Sequence, residues 1–82
     1  MSNKNIMPAD EKVEKAVLGA MLYDSYGLEC GLGCLKAEDF YYIVNQNIFK
    51  AITEVSNSGG KVDYITVSAR LEGTVNGAYV VS

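Results

Sequence analysis

The stretch Asp39-Phe-Tyr-Tyr-Ile-Val-Asn-Gln-Asn-Ile-Phe-Lys-Ala-Ile52 decides the fold. An aromatic lead-in runs into a segment where Ile48, Ile52 and Val55 recur at i, i+4 and i+7, with Phe49 beside them. That is the spacing of a helix with one apolar stripe turned inward. Asn45 is the expected N-cap, since its amide oxygen can accept from the unpaired N–H groups of a first turn. Ser56-Asn-Ser-Gly-Gly60 ends the helix, because two adjacent glycines supply a backbone freedom that no helix interior tolerates cheaply. So broad a stripe needs partners on several sides, and the helix is expected to be the post around which others are set.

Upstream, Pro8-Ala-Asp10 opens a first helix, with Asp10 as N-cap and Glu11 in the positive first turn. Val13, Ala16, Val17, Ala20 and Met21 follow helical spacing to about Leu22, and Glu11 and Lys15 form an i, i+4 pair on the outside. Gly19 in mid-helix is expected to make room for a neighbouring helix, since glycine there costs about 1 kcal/mol against alanine. Asp24-Ser25 is the next cap, starting a shorter helix to about Cys34 with Leu28, Leu32 and Leu35 on its buried side. Gly27, Gly31 and Gly33 make that helix intrinsically weak, so packing must shape it. Lys36-Ala-Glu-Asp39 is a polar joint.

Downstream, Val62-Asp-Tyr-Ile-Thr-Val67 has strand-like composition. Asp63 as N-cap, the helical spacing of Tyr64, Val67 and Leu71, and Gly73 just past Glu72 favour a fourth helix instead. Asn76-Gly77 signals a turn, and Ala78-Tyr-Val-Val-Ser82 begins a further element that stops without a terminating signal. The expected fold is therefore all-α, a compact orthogonal bundle of about five helices, in a single domain over residues 8–82 behind a flexible tail at residues 1–7.

Composition narrows the function. The chain has 82 residues, almost half of them apolar, which is a folded unit near the lower size limit for a self-sufficient core. Its net charge is −3, and Lys and Arg form no cluster that would grip phosphates, so tight nucleic-acid binding is not expected. The N-terminus lacks the apolar core of a signal peptide, and the run Ala16–Tyr23 is too short for a membrane span. A cytoplasmic location without membrane contact is expected.

Catalytic chemistry is hard to find. Histidine is missing, and with it the commonest general base and metal ligand. No phosphate-binding loop is present; Gly31-Leu-Gly33 and Gly59-Gly60 lack the following Lys-Ser/Thr. Cys30 and Cys34 are two ligands short of a zinc site and read as small buried hydrophobes. Glu38-Asp39 reads as solvated charge with a capping role. No catalytic, cofactor-binding or metal-binding residue is assigned. Of the six tyrosines, most are expected to serve as core filler with wet hydroxyls. Tyr26 and Tyr42 fall off their helix stripes and are the candidate anchors of a partner interface.

The ordered series is more specific than any one motif. Pro8, the run Val17-Leu-Gly-Ala-Met-Leu22 with Asp24, Asp39-Phe-Tyr41, Ile48-Phe49 with Ala51-Ile52, Gly60, Val62-Asp63, Thr66-Val67, Leu71 and Gly77-Ala-Tyr79 follow one another. In that order and spacing the chain resembles the N-terminal domain of DnaB-type replicative DNA helicases from Pro8 to Tyr79. Asn45 stands where that family often carries histidine, which keeps a capping role and removes a proton-handling one. The segment from Gly73 to Gly77 is shorter than usual, and the chain ends before the family's helical hairpin.

The resemblance implies a non-catalytic collar module, paired and arranged six to a ring, that supports hexamer assembly. It also implies docking of the C-terminal domain of primase within the primosome, with helicase loaders as further partners. ATP and magnesium would belong to the motor domain of a full-length ATP-dependent helicase, not to this stretch. The competing reading is a small helical DNA-binding module, in which helices joined by glycine-containing turns mimic a helix-turn-helix unit. A stand-alone enzyme would need a partner chain to bring the chemistry.

Overall fold

The computed structural model describes residues 10–76. They form α1 (Glu11–Tyr23), α2 (Ser25–Cys34), a 3-10 turn (Ala37–Asp39), α3 (Ile43–Asn57) and α4 (Tyr64–Asn76). The all-α expectation holds, with four helices and the 3-10 turn among the described residues. The element expected from Ala78 and the turn residue Gly77 lie outside them, as does Pro8.

Helix boundaries follow local chemistry. Asp10 caps α1 by accepting from the Lys12 and Val13 N–H groups. A single residue, Asp24, separates α1 from α2: its N–H closes α1 on the Ala20 carbonyl, and its carboxylate accepts from the Tyr26 N–H. Glu11 and Lys15 pair at 3.2 Å on the exposed face. The joint is held by the Lys36 N–H donating to Asp39 at 2.8 Å, the capping role expected there. Gly59 adopts φ 82° in the turn after α3, a conformation that an L side chain strains to reach.

The β-leaning stretch Val62–Val67 runs into helix from Tyr64 because Asp63 and Thr66 cap it reciprocally. The Thr66 N–H donates to the Asp63 carboxylate at 2.8 Å, and the Asp63 N–H donates to the Thr66 hydroxyl oxygen at 3.0 Å. The two unpaired N–H groups satisfied there outweigh a β-leaning composition. Gly73 does not stop α4, which continues to Asn76. Glycine weakens a helix by about 1 kcal/mol but forbids nothing.

The core joins Leu18 and Met21 of α1, Phe40 just after the 3-10 turn, Phe49, Ala51, Ile52 and Val55 of α3, and Val67 of α4. Phe40 meets Phe49 with ring centroids 5.3 Å apart. The inward stripe of α3 is as its spacing implies, and Leu28, Leu32 and Leu35 flank the core. The face of α1 is only partly as expected: Met21 is buried and Val17 packs against the core, but the row is shifted. Glu14, Leu18 and Met21 point inward, while Val13, Ala16 and Ala20 are exposed. A carboxylate in the buried row is invisible to a count of apolar residues.

Glycine placement is also corrected. A Cβ on Gly19 would meet nothing within 4 Å, so no helix approaches there. The close approach is made from α2. A Cβ on Gly27 would stand 2.8 Å from the Ala20 carbonyl oxygen, and one on Gly31 would stand 2.6 Å from Met21 Sδ. These two glycines let α2 lie directly on α1.

Candidate interaction surface and the Glu14 pin

Glu14 is completely buried and ties α1 to the start of α3. Its Oε2 accepts from the Tyr41 N–H at 2.7 Å, and its Oε1 from the Asn45 side-chain amide at 2.8 Å and the Tyr42 N–H at 3.4 Å. Tyr42 is the N-cap of α3 and offers no side-chain acceptor to its first turn. The carboxylate of α1 therefore holds the two N–H groups just ahead of the first turn and the Asn45 side chain within it, at the end of α3 that favours negative charge. Burial pushes the Glu14 carboxyl up, but the hydrogen bonds from Asn45, Tyr41 and Tyr42 outweigh it and, against a small push from Asp10, leave it below its ordinary 4.5. Gln46 completes the clamp, donating from Nε2 to the Phe40 carbonyl at 2.7 Å.

Asn45 is thus not the N-cap of α3. It lies inside the first turn, fully buried, with its NH2 group committed to Glu14. Its Oδ1, turned away from the carboxylate, meets no protein donor among the described residues. The amide cannot be flipped to satisfy Oδ1, because that would set an oxygen against a buried carboxylate.

Around this pin the surface is apolar. Tyr41, Ile43 and Val44 are 67%, 66% and 58% exposed, and Tyr41 and Tyr42 stack edge-on with ring centroids 5.0 Å apart. A second exposed pair, Tyr64 and Ile65, opens α4. The tyrosines are not core filler: Tyr23, Tyr26, Tyr41 and Tyr64 are all exposed. A core of this size is filled by aliphatic groups and two phenylalanines, which carry no hydroxyl that needs a wet edge. Tyr79 lies outside the described residues.

The two chosen anchors differ. Tyr26 is exposed in the first turn of α2, where the Cys30 side chain one turn on pushes its hydroxyl pKa up. Tyr42 is half-buried and pairs with Tyr41 instead. Sequence reading missed Tyr41, Ile43 and Val44. The available signal was three large apolar residues ahead of the inward stripe, more than a single first turn can bury.

Cys30 and Cys34 are exposed and free, not buried. The face of α2 turned to α1 is taken by glycine, which leaves the thiols on the solvent side. Among the described residues no three metal-ligating groups cluster, and no helix is long and apolar enough to cross a membrane.

Comparison with known proteins adds three results. Residues 6–80 match the family profile described as the DnaB-like helicase N terminal domain. The replicative DNA helicase DnaB of Geobacillus stearothermophilus is 39% identical over 69 residues, 84% of this chain and 15% of that protein. DnaB of Treponema pallidum is 38% identical over 66 residues, and the replicative DNA helicase DnaC of Bacillus subtilis 32% over 72 residues, covering 80% and 88% of this chain. The chain thus spans about a sixth of the length of these three relatives, 15%, 15% and 16% respectively. No solved structure matches significantly.

Proposed function

The chain belongs to the family of DnaB-like helicase N-terminal domains, and on that premise we propose that it is a non-catalytic collar module of a hexameric replicative helicase. Residues 8–82 act as the domain and residues 1–7 as its tail. Its work is to help the hexamer assemble, as a pair or a ring, and to dock the C-terminal domain of primase in the cytoplasm, with a helicase loader as a further partner.

The observation that carries this reading is the exposed apolar surface on a domain whose interior is already filled. Large apolar groups left in water beside a rigid pin favour a protein partner. Tyr26 and Tyr42 are the proposed anchors, with Tyr41, Ile43 and Val44 next to the second. Hydrolysis of ATP with magnesium is assigned to the motor portion of a full-length helicase. The residues here do not fit that chemistry, since the sequence has no phosphate loop and no metal-ligating cluster occurs among the described residues.

Calorimetric titration of the cognate primase C-terminal domain into this chain tests the reading, with a longer version that adds a helical hairpin of the family's kind as a second arm. Saturable binding, weakened by Tyr26→Ala and Tyr42→Ala, is the expected result. If the longer version does not bind either, the docking role is wrong. Retention on duplex DNA with a steep salt dependence would replace the collar by a DNA-binding module.

A further inference from the structure

Cys30 and Cys34 stand four residues apart on α2, both exposed and both free. Tyr26 continues the same row on the solvent side of the helix. Positions four apart on a helix hold their Cβ atoms about 5–6 Å from each other. A disulfide needs about 3.5–4.5 Å, so an intact α2 keeps these thiols from oxidising to one another. A metal asks for less. With metal–sulfur bonds of about 2.3 Å, two thiolates of a tetrahedral site lie about 3.8 Å apart, which rotation about the Cα–Cβ bonds reaches from that spacing. The pair fits a chelate and not a disulfide.

One chain then supplies two of four ligands. It has no histidine, and no third ligand joins the thiols among the described residues. We propose that Cys30 and Cys34 are half of a tetrahedral thiolate site for a thiophilic divalent cation such as zinc, closed by the same two thiols of a second copy of this chain. The copies meet α2 against α2. Two chains of formal charge −3 repel one another, and the four metal–sulfur bonds supply the attraction that holds them together. Each thiol gives up its proton as the metal–sulfur bond forms.

The test uses the full chain, reduced with a phosphine and titrated with zinc. A parallel arm uses cadmium, whose thiolate complexes absorb in the ultraviolet. One ion bound per two chains is expected, with a doubling of mass by light scattering that a chelator reverses. Cys30→Ser and Cys34→Ser should each abolish both effects while circular dichroism shows the helices intact. One ion per chain without a change in mass overturns the proposal. So does an absence of binding, or binding that survives in the double serine variant.

Discussion

Replacing Glu14 with alanine would leave the Tyr41 N–H and the Asn45 amide buried without an acceptor. Unpaired buried donors cost about 1–3 kcal/mol each, so a loss of about 3 kcal/mol in denaturant unfolding is expected. That is a large share of what a core this small supplies, and the variant should be close to unfolded. The pin also sets a pH dependence. The folded carboxyl ionises below its ordinary 4.5, so its stabilisation is present above that value and is lost as pH falls through the folded value. Denaturation midpoints measured from neutral into acid pH should converge for the wild type and Glu14→Gln. Asn45→Asp should behave oppositely. It sets a second carboxylate against the buried one, so it is least stable at neutral pH and recovers as one proton is taken up.

At the scale of the helix, α1 and α2 make opposite demands on their glycines. Gly19 faces open space in a helix interior, so Gly19→Ala should stabilise by about 0.5–1 kcal/mol in chemical denaturation. Gly27→Ala drives a methyl group into the Ala20 carbonyl, which is backbone and cannot swing aside. Overpacking of that kind costs about 1–3 kcal/mol, more than the gain in helix propensity, so this variant should be destabilised. If the two changes acted alike, the α1–α2 packing described above would be wrong. The start of α4 has a comparable test. Thr66→Val keeps the shape and removes the hydroxyl that the Asp63 N–H needs, at about 1 kcal/mol.

Among the described residues, Tyr23, Tyr26, Tyr41, Ile43, Val44, Tyr64 and Ile65 are left exposed around a core of eight buried apolar side chains. Small domains with that balance hold only about 3–5 kcal/mol by themselves. Ile43→Ser should leave unfolding within about 0.5 kcal/mol of wild type, because the side chain is already in water. It should nevertheless weaken any self-association or primase binding seen by sedimentation or calorimetry. The sequence by itself determined the all-α class, the order of the four described helices, their caps at Asp10, Asp24 and Asp63, and the inward stripe of α3. Those features depend on neighbours three or four residues away, and a reader of one chain sees such neighbours. It did not determine the burial of Glu14, the role of Asn45, which glycines admit a second helix, or the exposure of Cys30 and Cys34. Glu14 meets its backbone donors 27 and 28 residues on, and Gly31 meets Met21 only once α2 has folded back onto α1. Contacts of that range come into being with the tertiary structure, because the side chains that satisfy or exclude them are brought together only when the helices pack.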